Sequence, residues 1–291
     1  MIVYGTEINS DIDFPLNLPK NLPSRYQINL SSQVPEELIT SITCGFPLYQ
    51  AHGRKVYLYS DQIFDRSKIG QPWCYEVKDI VRFYWSSGST NIYYIIDGEG
   101  NIELLSFWFI HLLLPLFFTL ENMYDFLHGG AVEVCSKPII LTAPSMGGKS
   151  TLTEYFLKRG HKLISDDKIP TFINDDELLI TGSHPHYRPY RKFEDLGFHT
   201  DNFMAYSTPV NSLYYLKKSE KDSPVNIHKI TGYKKFDIVF PNYLYMFNFL
   251  RRHRLLYLSQ LLNKLQVYEI SIPWNLHRIP EVYKTIYNQL V

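Results

Sequence analysis

Residues 139–150 read Ile139-Ile140-Leu141-Thr142-Ala143-Pro144-Ser145-Met146-Gly147-Gly148-Lys149-Ser150. The apolar start predicts a buried strand, and the small residues after it predict a loop. Beyond the loop, Leu152, Tyr155 and Phe156 fall at i, i+3, i+4, the spacing of one helix face over Lys149 to Lys158. Strand, loop and helix with Gly-Lys-Ser at the helix start match the phosphate-binding pattern G-x-x-x-x-G-K-[ST], with Ala143 in place of the first glycine. The chemistry explains the composition. Backbone N–H groups must wrap phosphate oxygens closely, so side chains are excluded at Gly147 and Gly148. The helix start adds unpaired N–H donors and the positive end of its dipole. Ser145, Met146, Gly147, Gly148, Lys149, Ser150 and Thr151 are therefore the candidate nucleotide contacts. Lys149 supplies a cation for the terminal phosphates and the Ser150 hydroxyl a ligand for Mg²⁺. Alanine at 143 serves the turn as long as its φ stays negative.

Moving outward, Arg159-Gly160 predicts the helix stop and Leu163-Ile164 a short buried strand. Asp166-Asp167 follows, read as two carboxylates at the C-terminal end of that strand, the edge where open α/β sheets bind ligands. One can hold a metal while the other takes a proton from an attacking hydroxyl. Taken alone, the pair is equally an ordinary polar turn. Upstream of the loop, His128-Gly129-Gly130 sets a histidine and small residues beside the predicted strand Val132 to Val134. A lone histidine is more often structural than functional.

The remainder places this core in a larger chain. Its 291 residues suit one large domain or two modest ones. Before Leu120 the texture is of short strands: Ile2 to Ile8, Lys55 to Tyr59, Ile80 to Tyr84 and Asn91 to Ile96. Asp97-Gly98-Glu99-Gly100 reads as a hairpin turn into a strand at Asn101 to Leu104, and Ser106 to Phe126 as helical. After it, strands and helices alternate, with Tyr243 to Leu265 helical, Val267 to Ile272 a strand and Pro280 opening a last helix. Two domains are expected, 1–120 and 121–291.

Composition removes several function classes. Lysine plus arginine (29) balances aspartate plus glutamate (29), which argues against a nucleic-acid or anionic-membrane partner. Three scattered cysteines, Cys44, Cys74 and Cys135, fit neither a disulfide framework nor a CxxC zinc site, and predict reduced thiols in a cytoplasmic protein. Met1 to Phe14 lacks signal-peptide features. The apolar run Leu104 to Leu120, interrupted by His111 and Pro115, is shorter than a spanning helix needs and predicts a buried helix pair instead.

Three weaker stretches remain. His184-Pro185-His186 has i, i+2 histidines but no cysteine nearby and reads as structural. Arg188 and Arg191 suit bidentate phosphate contact. Arg251-Arg252-His253-Arg254 reads as a solvated basic face, with an anchor for an acidic peptide as the alternative. Asp175-Asp176-Glu177 reads as a hairpin turn.

Taken in order, His128-Gly129, Ala143 to Ser150, Arg159-Gly160-His161 and Asp166-Asp167 resemble the catalytic domain of HPr kinase/phosphorylase, whose core is similar to that of phosphoenolpyruvate carboxykinase. The clear match covers about His128 to Lys168. The start, Tyr4-Gly5-Thr6-Glu7-Ile8-Asn9-Ser10-Asp11-Ile12 with Pro15, is similar to the opening of HPr-kinase-like proteins of peptide-modifying gene clusters, such as the lasso-peptide kinases. The resemblance implies an α/β fold: a P-loop-containing HPr kinase C-terminal-like core with a smaller, β-rich α+β N-terminal domain for peptide or partner recognition. It implies ATP and Mg²⁺ as cofactors and transfer to a serine or threonine hydroxyl of a peptide or small protein. Within it Asp166 is the general base, Asp167 and Ser150 hold the metal, Lys149 and the loop amides hold ATP, and His128 lies near the transferred group. A loop with Arg188 or Arg191 follows the Asp pair near the γ-phosphate or substrate. The resembled kinases can form symmetric assemblies, so a homo-oligomer is compatible with it. The family's C-terminal Glu-x-Arg-Gly-x-Gly stretch has no counterpart here, which argues against HPr as the substrate and against phosphorolysis. Two alternatives stay open: a kinase of a small-molecule hydroxyl such as free serine or a sugar, and a nucleotide-binding module without catalysis.

Overall fold

Asp175 and Asp176 both adopt positive φ (46° and 65°), the geometry of a two-residue hairpin turn, and the strands they join belong to a mixed α/β protein with large sheets. The computed structural model describes residues 1–291 except 21, 62, 63, 65–67, 190 and 191. The described chain falls into two compact units, residues 1–124 with 191–196, and 125–190 with 197–291.

The first unit carries β1 (Ile2–Val3), β2 (Thr6–Ser10), β3 (Tyr26–Ser31), β4 (Cys44–Ala51), β5 (Arg54–Ser60), β6 (Pro72–Val77), β7 (Val81–Ser86) and β8 (Asn91–Ile96), plus the short α1 (Glu36–Thr40). Their sheet order is β1-β2-β3-β8-β7-β6-β5-β4. No strand follows β8 at Asn101 to Leu104. The Asn101 side chain instead accepts the Leu104 N–H at 2.8 Å and caps a helix. That helix runs as α2 (Ile102–Phe107), a π-helical segment Trp108–Leu113 and α3 (Leu114–Leu120). It ends before Phe126, which lies in a strand. By length and composition Ile102–Leu120 could cross a membrane, contrary to the expectation that it is too short, but 83% of its apolar window is buried inside the protein. Phe109 packs on Phe83 and Phe117 on Trp85 of β7, so this is a core helix. The Trp108 indole N–H donates to Glu194 at 2.8 Å, which ties the returning segment around Glu194 to the first unit.

The second unit carries β9 (Asp125–Val134), β10 (Lys137–Thr142), α4 (Lys149–Lys158), β11 (Lys162–Asn174), β12 (Glu177–Ile180), β13 (His186–Tyr187), β14 (Phe198–His199), β15 (Thr208–Pro209), β16 (Ser212–Ser219), β17 (Ile227–Ile230), α5 (Lys234–Val239), α6 (Arg251–Lys264), β18 (Gln266–Pro273) and α7 (Ile279–Leu290). The main sheet runs β15-β12-β11-β9-β10-β16-β18-β17, and β10, β16 and β18 are parallel neighbours. Leu152 and Phe156 of α4 and Val282, Ile286 and Leu290 of α7 cover one face. Val239 of α5 and Tyr257, Leu258 and Leu261 of α6 cover the other. Two-sided burial explains the continuous apolar run Ile139 to Leu141.

Two expectations change here. The helix expected over Tyr243 to Leu265 begins only at Arg251. Before it, Tyr243 bridges Leu127 of β9 and its hydroxyl donates to the Asp125 carboxylate, which holds that segment out of helical geometry. The short strand expected at Leu163-Ile164 is the start of the 13-residue β11, so Asp166-Asp167 lies inside a strand and not at its C-terminal end. Antiparallel pairing of β11 to β9 from Lys162 to Thr171 carries it through.

Candidate functional site

The loop 143–148 leaves β10 and enters α4. Gly148 stands at the helix N-cap with φ +86°, a conformation that glycine adopts without penalty. A Cβ on Gly147 would come within 2.8 Å of the Ala143 Cβ and 2.9 Å of the Pro144 carbonyl, so the loop closes on itself only with glycine there. Ala143 is buried, and it is not among the residues that adopt positive φ, so the departure from the glycine pattern carries no backbone strain. Met146 is exposed with φ +58° at the tip of the loop.

Lys149, in the first turn of α4, is buried, and its ammonium donates to His128 Nε2 at 2.8 Å. Because Nε2 accepts, the ring hydrogen sits on Nδ1. That atom donates to the Asp167 carbonyl at 3.1 Å and lies 3.3 Å from the Asp167 carboxylate. Gly130, two residues after His128, lets α4 approach β9, since a Cβ there would lie 2.6 Å from Thr153 Oγ1.

Adjacent residues of a regular strand point to opposite faces. β11 breaks that rule where it matters. Its register shifts between Leu163 and Ser165, and Asp167 adopts φ +68°, which costs a non-glycine residue about 1–3 kcal/mol. Both carboxylates therefore reach Arg188: its backbone N–H donates to Asp166 Oδ2 at 2.8 Å, and its guanidinium donates to Asp167 Oδ2 at 2.8 Å. Lys168 Nζ lies 3.8 Å from the same Asp167 oxygen. The second Asp166 oxygen, Oδ1, is buried and has no hydrogen-bond partner among the described residues. Burial pushes the Asp166 carboxyl above its ordinary 3.8, with the Asp167 charge adding to the rise. The Arg188 N–H, the Arg188 guanidinium and Lys149 pull the other way.

Lys149, His128, Asp167, Arg188 and Asp166 thus form one hydrogen-bonded chain from four separate stretches of sequence. The guanidinium of Arg188 is its keystone. Replacing Arg188 with alanine leaves a largely buried carboxylate short of a charged donor, which costs about 2 kcal/mol, and lysine restores only part because it lacks the planar fork. Urea unfolding of the two variants measures this; an unchanged midpoint for Arg188→Ala would mean the pair contributes nothing to the fold.

The other sequence candidates sort as follows. Arg191 lies outside the described residues. Ser150 and Thr151 sit in the first turn of α4. His184 and His186 are buried with ring centroids 5.8 Å apart, and His186 contacts His199 at 5.3 Å. Burial, with His186, Arg188 and Lys168 nearby, holds His184 well below its ordinary 6.5. Among the described residues no group of three His, Cys, Asp or Glu side chains is placed to hold a metal. Of the basic stretch, Arg251 and Arg252 are exposed, whereas His253 binds the Asp125 carboxylate at 2.9 Å and buried Arg254 donates to the Phe247 carbonyl. Lys168 and the backbone N–H of Arg188 were not legible as site groups, since neither belongs to a spacing pattern.

The chain is 34% identical over 77 residues to HPr kinase/phosphorylase of Pediococcus pentosaceus, covering 23% of this chain and 25% of that protein. It is 32% identical over 71 residues to HPr kinase/phosphorylase of Levilactobacillus brevis, covering 21% and 23%. A segment of this chain is thus similar to HPr kinase/phosphorylase. The chain spans about a quarter of the length of these curated relatives. No family model matches it. Among solved structures, it is similar to the Hpr(Ser) kinase/phosphatase from Coxiella burnetii, with 16% identity and a TM-score of 0.35 over 56% of this chain and 94% of that one.

Proposed function

We propose that this chain is an ATP- and Mg²⁺-dependent kinase that phosphorylates a serine or threonine hydroxyl on a peptide or small protein. The observation that carries the reading is the Oδ1 of Asp166, buried and without a hydrogen-bond partner among the described residues, set in the same hydrogen-bonded chain as the loop lysine. A desolvated acceptor of this kind is suited to take a hydroxyl proton.

The residues fit the implied cofactors. The Gly147 N–H donates inward to the Pro144 carbonyl at 2.9 Å and closes the loop, and the first turn of α4 presents its backbone N–H groups to phosphate oxygens. Ser150 and Asp167 are the oxygen ligands that would hold Mg²⁺. When bound, Mg·ATP supplies the phosphoryl group with its charge neutralised. Lys149 places its ammonium by the phosphates and is aimed by His128, whose own ring is fixed by Asp167. Arg188 holds Asp166 through its backbone and Asp167 through its side chain, so the two carboxylates keep different tasks. In-line transfer then needs the acceptor hydroxyl at Asp166 Oδ1.

Ala143 without strain favours a working loop over a degenerate one. A cytoplasmic location accompanies this reading, because ATP is supplied there.

The test is incubation with γ-labelled Mg·ATP and, separately, a set of serine-bearing peptides, free serine and a sugar. Label on peptide serine is expected. Label only on free serine or the sugar moves the reading to a small-molecule kinase. Nucleotide binding with no labelled acceptor moves it to a binding module.

A further inference from the structure

A cavity of about 260 Å³ opens beside the loop on the side away from the two carboxylates. Gly148, Thr151 and Leu152 line it from α4, and Ile272, Trp274 and Asn275 line it from the end of β18. We infer that this cavity takes the purine base of a nucleoside triphosphate whose phosphates lie on the loop, an inference that rests on the phosphate-loop reading above.

Strand order makes the argument. The parallel strands β10, β16 and β18 end at one sheet edge, where open α/β sheets bind ligands. The loop follows β10 at the centre. The carboxylates are on β11, two strands to one side, and the cavity follows β18, two strands to the other. At about 4.8 Å per strand step, base and acceptor positions fall on opposite sides of the phosphates, each roughly 10 Å away. The cavity is continuous with the loop, because a Cβ at Gly148 would lie 3.8 Å from Trp274 Cζ3. The Trp274 backbone N–H donates to the Ser219 carbonyl at 3.2 Å and fixes the residue at the strand end, and the Lys218 ammonium lies 4.1 Å from the indole centroid.

The chemistry of the walls selects a flat heterocycle. Leu152, Ile272 and Val282 are apolar core residues, and the indole offers a stacking face. Polar side-chain groups on the lining are few: Thr151, Asn275 and the indole N–H. The Asn275 carbonyl is already used by the His277 N–H at 3.1 Å, so its amide hydrogens are the donors on offer. The volume lies just below the roughly 300–1,000 Å³ of whole small-molecule clefts, which fits one moiety of a ligand anchored elsewhere.

The test compares Mg·ATP with magnesium tripolyphosphate, which lacks base and ribose, by calorimetry on the full chain. Trp274→Ala is expected to weaken Mg·ATP at least tenfold and to leave tripolyphosphate within twofold, while Trp274→Phe stays close to wild type. Intrinsic fluorescence gives a second readout: Trp73, Trp85 and Trp108 are fully buried and Trp274 is 48% exposed, so quenching by ATP and not by tripolyphosphate is expected, and lost in Trp274→Phe. If both probes bind wild type and Trp274→Ala binds ATP equally well, the base site is wrong and the phosphate loop stands. If neither probe binds wild type, the phosphate-loop reading falls and takes the base site with it.

Discussion

Asp166→Asn is expected to lower phosphoryl transfer by roughly 10³-fold while Mg·ATP affinity stays within a few-fold. Asparagine keeps a carbonyl oxygen for the Arg188 N–H, so the 2.8 Å bond that positions the side chain survives. What is lost is the basic lone pair at Oδ1, which has no hydrogen-bond partner among the described residues. The same substitution raises stability near neutral pH. The folded carboxyl titrates above 3.8, so between 3.8 and that higher value the folded state holds more protons than the unfolded one. Stability therefore falls as pH rises through this window, and above it the full cost of the buried charge is present. Asparagine carries no such charge. Single-turnover transfer, calorimetry and urea unfolding at two pH values read the three effects. Full turnover in Asp166→Asn would remove this residue from the proton-accepting role.

Lys149→Ala is expected to weaken Mg·ATP by roughly a hundredfold, the size of one charge-assisted contact of about 1.5–3 kcal/mol, and to abolish measurable transfer. The loss has two parts. One is the cation itself. The other is the order it gives to His128, whose Nε2 accepts from it and whose Nδ1 holds Asp167. His128→Asn tests the second part alone: it is expected to cut transfer with a smaller change in affinity. Calorimetry on both variants separates the parts, and an unchanged affinity in Lys149→Ala would show that the loop does not carry phosphate.

Local signals in this chain were legible where the determinant was local. Gly147-Gly148-Lys149, the helix over Lys149–Lys158 with its stop at Arg159-Gly160, the Asp175-Asp176 turn and Pro280 at the start of the last helix depend on backbone freedom and near neighbours. Longer reach defeated the reading. Asp97 to Gly100 looks like a hairpin until the Asn101 cap is seen to win, and Tyr243 has helical neighbours but is pulled to β9 by Leu127 and Asp125.

That a glycine-rich loop, a histidine and two carboxylates follow one another around an α/β core is readable from residue order alone, because strand–loop–helix chemistry is written in contiguous residues. How those groups contact one another is set by the folded chain. The left-handed backbone at Asp167 turns two neighbouring carboxylates toward Arg188, and the pairing of β9 with β11 brings His128 between Lys149 and Asp167. The side of the loop on which Trp274 falls follows from the order β10-β16-β18. These contacts join residues tens of positions apart, and their geometry comes from register and burial, which no window of sequence contains.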